Sequence, residues 1–422
     1  MAERRSPSIV YMLTPIETGL LIAIALLLVS IYGMVIFFGR QNESLNQAPH
    51  LTAIAVMPLQ LPRVSVIIPA YNEAANIQSC VEAVLASQLP ETTQLQVIVA
   101  DDESTDQTLA IAQTLAACDP RLEIVQVPPR PADAAWRGKN WACANAVKQA
   151  TGDYWLFIDA DVRLGPQAIA TTLQKAEQAQ IDLLSCAPNI VCGCLAEWLV
   201  QPLMMSVLAI GFSFEGVNDP AQRDRAFAAG PFMLFRRTTY EALGGHETVA
   251  EDLVEDVALA RLVKRKGHKL HYTLALALLQ VRMYQDFASL WEGWTKNYYV
   301  GTGRNLFSTL YSAFAIGVVF VFPWLGWAIA LTSWLIAWNV AAFSVQPWLL
   351  GLAVALAWGA IALQYFYRLQ SARRFGQPLR YFWLSWLSGL LVAAIAIGSV
   401  IKTETGWGWT WRGRSLAVKQ QE

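Results

Sequence analysis

The sequence has little charge and few cysteines. Only 15% of its 422 residues are charged and 55% are hydrophobic, which excludes both an ordinary soluble enzyme and a chain that lies wholly in a membrane. A net charge of -1 supplies no basic field, so no nucleic acid partner is expected. None of the six cysteines belongs to a C-x-x-C pair of the zinc or redox type, and we therefore expect reduced thiols in a cytoplasmic compartment.

Long hydrophobic runs are present near both ends of the chain. Residues 16–38 are long enough to cross a hydrocarbon core of about 30 Å. We interpret them as a spanning helix, because no small-residue cleavage site of a secretory signal follows. Residues 305–367 could supply two long or three short crossings, and residues 381–401 supply another. Arginines in the loop between these last two segments favour a cytoplasmic position for that loop.

The side of the membrane on which the chain ends lie stays open. With one crossing before the middle domain and three after it, a cytoplasmic middle domain leaves both ends outside. A last segment that only dips into the membrane would place the C-terminal end in the cytoplasm. Three short crossings before the arginine loop would do the same but would move that loop outside. Basic residues near both ends oppose an outside position: Arg4, Arg5, Lys402, Arg412, Arg414 and Lys419.

The hydrophobic segment at residues 195–214 is a further candidate for a crossing. A crossing there would put the two halves of the middle domain on opposite sides of the membrane. The segment also carries Glu197, Gln201 and Pro202. We therefore predict a buried or interfacial helix.

Strand and helix patterns alternate through the middle of the chain. Apolar runs at residues 64–68, 95–100 and 154–158 have the length of buried strands, and helical spacing of apolar residues follows the first two. Such units in series predict a mostly parallel, Rossmann-like α/β sheet. Ligands of these sheets bind at the carboxyl ends of the strands. Polar residues follow each strand there: Tyr71, Asn72, Glu73, Asp101, Asp102, Asp159 and Asp161.

Asp159 and Asp161 follow the third strand one residue apart. Ionised carboxylates so close together repel each other unless a cation lies between them. Mg2+ and Mn2+ prefer such oxygen ligands, together with water and phosphate oxygens. We therefore predict that the pair holds a divalent metal against a diphosphate. A solvated turn is the alternative, because Asp is common in turns.

Charged residues at three other places in the sequence are candidate site residues. Asp101 and Asp102 could accept hydrogen bonds from a nucleoside or could cap the following helix. Lys139 stands at a helix start, where it favours a phosphate, although an ordinary surface lysine is the alternative. Glu255 and Asp256 stand directly before a helical run, and one of them could be a general base that takes a proton from an acceptor hydroxyl.

These stretches together resemble family 2 glycosyltransferases. The matching pieces occur in family order over residues 63–284: "VSVIIPAYNEAANI", "VIVADDESTDQT", "WRGKNWA", "FIDADVRL", "FAAGPFMLFRRTTYEALGGHE" and "VEDVALARLVKRKGHKL". The resemblance implies a GT-A fold, a divalent metal (Mg or Mn), a nucleotide-sugar donor such as a UDP- or GDP-sugar, and an inverting hexosyltransferase. It also implies a nucleotide-sugar site and a base, Asp256 with Glu255 beside it. The nucleotide-sugar site comprises Pro69, Tyr71, Glu73, Asp101, Asp102, Lys139, Asp159 and, for the metal, Asp161.

One departure from the family pattern narrows the range of acceptors that we expect. Processive polysaccharide synthases carry Q-x-x-R-W after the base helix, whereas this chain has "QVRMY" with Arg282 and Tyr284. The order of segments and the final "WTWRGR" are more similar to bacterial transferases that glycosylate carotenoids or accompany hopanoid synthesis. Trp291 and Trp294 lie just before the membrane segments, as in an interfacial helix, so we predict a lipid acceptor in a groove between that helix and residues 195–214. We assign Arg282, Tyr284, Trp291 and Trp294 to this acceptor region.

The sequence thus predicts a multi-pass protein of the bacterial inner membrane with a cytoplasmic catalytic domain. The expected division is a spanning helix (1–40), a linker (41–62), the GT-A domain (63–284), an interfacial segment (285–306), a membrane bundle (307–402) and a tail (403–422). A polysaccharide synthase, an inactive protein that binds sugar nucleotides, and a transporter with a regulatory domain are the alternatives. The oligomeric state stays open.

Overall fold

The computed structural model describes residues 14–131, 136–339 and 346–415. Arg4, Arg5 and Lys419, whose charges bear on the position of the chain ends, lie outside the described residues. The chain divides into two compact units. One contains Gln41–Thr309 with Ile395–Glu422, and the other contains Met1–Arg40 with Leu310–Ala394.

The strands belong to the first unit and are short. They are β1 (Val64–Ala70), β2 (Leu95–Asp101), β3 (Leu122–Gln126), β4 (Tyr154–Ile158), β5 (Val162–Leu164), β6 (Leu183–Ala187), β7 (Asn189–Ile190), β8 (Phe232–Arg236), β9 (Leu270–Leu274), β10 (Leu279–Val281), β11 (Thr410–Trp411) and β12 (Arg414–Ser415).

A mostly parallel sheet forms the centre of this unit. Within the described ranges it has seven strands in the order β3-β2-β1-β4-β8-β6-β9. β8 runs antiparallel to both of its neighbours, and the other pairings are parallel. β1 and β4 lie side by side in the sheet and are almost wholly buried, as expected for strands rich in Val, Ile and Phe with both faces covered. The predicted fold class, α/β with a mostly parallel sheet, is confirmed.

Helices alternate with these strands and continue after them. They are α1 (Pro15–Asn46), α2 (Ile77–Leu85), α3 (Thr108–Ala116), α4 (Gly138–Ala146), α5 (Ala168–Gln178), α6 (Leu195–Gly211), α7 (Phe214–Asn218), α8 (Arg237–Ala242), α9 (Glu255–Arg265), α10 (Phe287–Gly301), α11 (Leu306–Ile316), α12 (Phe322–Asn339), α13 (Pro347–Phe375) and α14 (Ser385–Thr405).

Four segments among the described residues are long and apolar enough to cross a membrane. They are Pro15–Asn46, Leu306–Ile336, Pro347–Phe375 and Leu379–Thr405. The helix α6 is shorter and contains Pro202, and it is not one of the four. One apolar segment thus precedes the sheet domain and three follow it.

Side chains of the second unit donate hydrogen bonds to the irregular part of its own backbone. A π-helical turn at Gly317–Val321 joins α11 to α12 and breaks the regular hydrogen bonding of the segment. Ser30 Oγ donates to the carbonyl of Val318 at 2.8 Å, and Gln364 Nε2 donates to the carbonyl of Val319 at 3.1 Å. Such partners are needed where water is absent, because an unpaired carbonyl in hydrocarbon is costly.

Candidate active site

A cavity of about 370 Å³ opens where β1, β2 and β4 end. This is the edge at which open α/β sheets bind ligands. Asp101, Arg282, Trp291 and Trp294 do not line the cavity. The other predicted site residues line it together: Pro69, Tyr71, Glu73, Asp102, Lys139, Asp159, Asp161, Glu255, Asp256 and Tyr284.

The loops after β1 and β2 are tied together. The backbone nitrogen of Asn72 donates to Ser104 Oγ at 3.0 Å, and the backbone nitrogen of Thr105 donates to Asn72 Oδ1 at 2.9 Å. Asp101 lies beneath this junction, where its Oδ2 accepts from the Ser104 nitrogen at 3.3 Å. Asp102, only 3% exposed, is the member of the pair that lines the cavity. Burial raises the pKa of Asp102, although the neighbouring guanidinium of Arg414 opposes this.

Lys139 links the two acidic parts of the cavity. Its Nζ lies 2.6 Å from Asp159 Oδ1 and 2.7 Å from Glu255 Oε1. Burial alone lowers the pKa of Lys139, but the charges of Asp159, Glu255 and Asp256 outweigh it and the pKa lies well above its usual value. The lysine is therefore charged and holds the end of β4 close to the start of α9.

Asp161 carries an unsatisfied buried oxygen. Its Oδ1 is buried without a hydrogen-bond partner in the described parts of the chain. Burial, followed by the charges of Asp159 and Glu73, raises the pKa of Asp161 to about 8. Both facts fit a carboxylate that requires a cation. No group of three or more His, Cys, Asp or Glu side chains among the described residues could hold a metal, so Asp159 and Asp161 would bind one only with water and phosphate oxygens.

Asp256 is held by backbone donors at the start of α9. Its Oδ2 accepts from the Gly230 nitrogen and its Oδ1 from the Val257 nitrogen, each at 2.8 Å. Burial, followed by the charge of Glu255, raises the pKa of Asp256 to about 7, against the lowering effect of Lys139. A carboxylate with a pKa near 7 can take a proton in neutral solution and is suited to general base chemistry.

Asn140 fixes the loop that leads to α9. The residue is fully buried, and its Nδ2 donates to the carbonyls of Val249 at 2.6 Å, Ala250 at 3.1 Å and Asp252 at 3.0 Å. Sequence reasoning missed this role, although Asn140 stands beside Lys139 in the "WRGKNWA" stretch.

The C-terminal hairpin, β11 and β12 with the turn between them, supplies cavity residues that sequence reasoning also missed. Trp411, Arg412 and Arg414 line the cavity, and so does Lys296 of α10. The Nζ of Lys296 lies 4.1 Å from the centre of the Trp411 ring. Burial lowers the pKa of Lys296 to about 8. Trp411, Arg412 and Arg414 belong to the "WTWRGR" stretch, whose pattern does not indicate that they line the cavity.

The residues predicted for the acceptor region do not all lie at the cavity. Tyr284 lines the cavity. Arg282 instead pairs with buried Glu197 of α6, with Nη2 3.1 Å from Oε2. Trp294 is buried, and its Nε1 donates to Gln201 Oε1 of α6 at 2.8 Å. The helices α6 and α10 therefore contact each other directly.

Known proteins resemble this chain in sequence and fold. Residues 65–244 match the sequence model of glycosyl transferase family 2. The 4,4'-diaponeurosporenoate glycosyltransferase of Staphylococcus aureus is 30% identical over 243 residues, which cover 57% of this chain and 61% of that protein. The chain thus matches less than two thirds of the length of this relative.

A solved structure extends the similarity beyond the sheet domain. It is the mannosyltransferase PcManGT from Pyrobaculum calidifontis in complex with GDP-Man and Mn2+. It has a TM-score of 0.52 and 20% sequence identity, covering 92% of this chain and 99% of that chain. At that identity the match shows the fold alone, and the fold is GT-A. Residues 65–244 of this protein therefore match a glycosyl transferase family 2 domain in sequence.

Proposed function

We propose that this protein transfers a sugar from a nucleotide-sugar donor to a lipid acceptor, with inversion at the anomeric carbon. The observation that carries the proposal is that Asp159 and Asp161 line the same cavity as Glu255 and Asp256. A diphosphate site and a general base must lie this close together, because the donor breaks at the atom that the acceptor attacks. The relatives named above support the same activity.

The donor would lie along the strand ends. Tyr71 and Asp102 would contact the nucleoside, since an aromatic face and a carboxylate suit a base or ribose. Asp159 and Asp161 would hold the divalent metal, which supplies Lewis acid stabilisation of the leaving diphosphate when bound. Lys139 offsets part of the negative charge of Asp159 and Glu255, which lets an anionic ligand approach this acidic edge.

Asp256 would act on the acceptor. Its carboxylate takes the proton of an acceptor hydroxyl while the oxygen attacks the anomeric carbon of the sugar. The bond from that carbon to the phosphate oxygen breaks, and the nucleoside diphosphate leaves with the electron pair. A single direct displacement of this kind inverts the configuration.

The acceptor would reach the cavity along α6 and α10. Because these helices touch through Trp294 and Gln201, the groove that we propose follows their outer surfaces rather than a gap between them. Leu195 and Phe287, each the first residue of its helix, are 47% and 46% exposed apolar residues that suit a lipid. The relative named for a diaponeurosporenoate acceptor supports an isoprenoid of the carotenoid type.

The C-terminal hairpin supports one membrane topology for this proposal. Arg412 and Arg414 contact the loops after β1 and β2, so the hairpin lies on the same side of the membrane as the sheet domain. An even number of crossings must then separate Thr309 from the hairpin. Three long apolar segments lie in this part of the chain, so the proposal has two of them cross and one not.

We infer that α14 is the segment that enters the membrane without crossing it. Its Ser399 Oγ accepts from the Tyr299 nitrogen of α10 at 2.9 Å, so this part of α14 packs on the sheet-domain unit. Two crossings before α14 would return Arg373 and Arg374, at the end of α13, to the side of the sheet domain. By the positive-inside rule that side is the cytoplasm, and the membrane would be the bacterial inner membrane.

A transfer assay tests the proposed function. The purified protein in nanodiscs receives Mn2+, a panel of radiolabelled UDP- and GDP-sugars and an isoprenoid lipid extract, and label is followed into the organic phase. We expect label in a small lipid product with one donor class, and none with Asp161→Ala. Label only in insoluble polymer would identify a polysaccharide synthase, and no transfer with any donor would contradict the proposal.

A further inference from the structure

The C-terminal hairpin is anchored beside the end of β1. Its two turn residues, Arg412 and Gly413, have φ angles of 47° and 80°, which match the tight turn of a two-residue hairpin. Arg412 Nη1 donates to the carbonyl of Tyr71 at 2.7 Å and lies 2.6 Å from Glu73 Oε1. On its other side, Glu292 Oε1 accepts from Thr410 Oγ1 at 2.7 Å. The hairpin is therefore fixed at the rim of the cavity at both of these points.

This anchoring aims Arg414 at two residues of the nucleoside site. The Cζ atom of Arg414 lies 3.5 Å from the centre of the Tyr71 ring, which is stacking distance. Its Nη1 forms a charge-assisted hydrogen bond with Asp102 Oδ2, and its Nη2 donates to the Asp102 carbonyl at 2.8 Å.

A nucleobase and a guanidinium have the same requirements at such a place. Each is planar, stacks on an aromatic face and donates N–H groups to a carboxylate. The position against Tyr71 and Asp102 is already filled by Arg414, so a base that uses the same ring face and the same carboxylate oxygen cannot bind until the arginine leaves.

We propose that Arg414 is an internal competitor of the donor, which occupies the nucleobase position in the free protein and is displaced when the nucleotide binds. This inference rests on the proposed function, because it assigns Tyr71 and Asp102 to the nucleoside. The residue sets donor affinity without taking part in the chemistry of transfer.

The proposal makes a prediction with a definite sign. When only a fraction of the molecules is open, the apparent dissociation constant rises by the inverse of that fraction. Arg414→Ala removes the competitor and should tighten the binding of a neutral nucleoside, about tenfold if one molecule in ten is open. Loss of a positive charge alone would do the opposite to a charged ligand, since it weakens the attraction for a diphosphate.

The test compares three probes on the full-length protein in nanodiscs. Binding of uridine and guanosine, of UDP and GDP, and of inorganic pyrophosphate is measured for the wild type, Arg414→Ala and Arg414→Lys. In Arg414→Ala we expect tighter nucleoside binding, about tenfold if one molecule in ten is open, with a smaller gain for the nucleoside diphosphates and weaker pyrophosphate binding. Arg414→Lys, which keeps the charge but loses the planar group, should fall between the wild type and Arg414→Ala for the nucleosides.

Arg130→Ala is the matched control. Arg130 lines the same cavity, and its charge acts on Asp102, whereas Arg414 is the side chain stacked on Tyr71. Its removal should weaken binding of the nucleoside diphosphates without the tighter nucleoside binding that Arg414→Ala gives.

Two other outcomes are distinguishable. Nucleoside binding that is equal or weaker in Arg414→Ala, in a protein that still binds UDP or GDP, overturns the competitor and leaves the proposed function intact. Wild-type protein that neither binds any nucleotide nor transfers sugar overturns the proposed function and the competitor with it.

Discussion

The backbone nitrogen of Gly230 donates to Asp256 Oδ2 at 2.8 Å. A Cβ atom placed on Gly230 would lie 2.9 Å from the same carboxylate oxygen and 3.4 Å from Lys139 Nζ. Glycine at this position therefore allows the backbone to approach and orient the proposed base.

Gly230→Ala should reduce turnover while donor binding persists. The added methyl group displaces the Asp256 carboxylate, and a misplacement of about 1 Å can cost on the order of 100-fold in rate. Steady-state kinetics with separate measurement of UDP or GDP binding checks the expectation. Gly211→Ala is the control, because a Cβ there meets nothing within 4 Å. Full activity in Gly230→Ala would show that this contact does not orient the base.

Asp256→Asn should abolish most of the transfer. The amide cannot accept the acceptor proton, and loss of a general base typically costs about 10²–10⁴-fold in rate. The KM for the donor should change little, because Asp256 would contact the acceptor. Asp224→Asn, at an exposed position, serves as the matched control. A variant with wild-type kcat would remove Asp256 from the proposed mechanism.

The rate of transfer should rise with pH through about 7, where Asp256 loses its proton, and then level off. A base works in its deprotonated form, and burial with the neighbouring charge of Glu255 is what raises its pKa. Three other titratable groups also interact with Asp256: Lys139, Lys296 and Tyr272.

Glu255→Gln provides the internal test of that profile. Removal of the Glu255 charge lowers the pKa of Asp256, so the rising limb should move to lower pH. The exposed Glu251→Gln variant should keep the wild-type profile. A limb that stays in place or moves to higher pH in Glu255→Gln would mean that another group controls the rate.

The hairpin contacts predict the side of the C-terminal end. A green fluorescent protein fused after the last residue should fluoresce and an alkaline phosphatase fused there should be inactive, as for a cytoplasmic end. The same pair of fusions after residue 91, an exposed position of the sheet domain, should give the same result. Opposite results at the two positions would place the hairpin and the sheet domain on different sides of the membrane.

The sheet and its polar edge could be predicted because both depend on local patterns. The β-branched run of β1 and the apolar run of β4 are buried strands, and each is followed at once by polar residues. The strand-end rule then places Tyr71, Asp102 and Asp159 in one cavity, as the structure does. The proposed roles of these residues stay predictions.

The rest of the cavity depends on contacts between distant parts of the chain. Arg414 and Asp102 are 312 residues apart, and no local pattern indicates that they meet. The same holds for Trp294 and Gln201, 93 residues apart, whose hydrogen bond joins α10 to α6. Hydropathy alone also could not decide how many apolar segments cross, because length and composition are the same for a helix that crosses and one that returns.

The configuration of the product tests the central claim most directly. Lipid product formed by the wild-type protein from an α-linked nucleotide sugar is isolated, and its anomeric coupling is measured by NMR spectroscopy. One direct displacement assisted by Asp256 predicts a β-linked glycoside, absent when Asp256→Asn replaces the wild type. An α-linked product, or transfer that persists in that variant, would contradict the account.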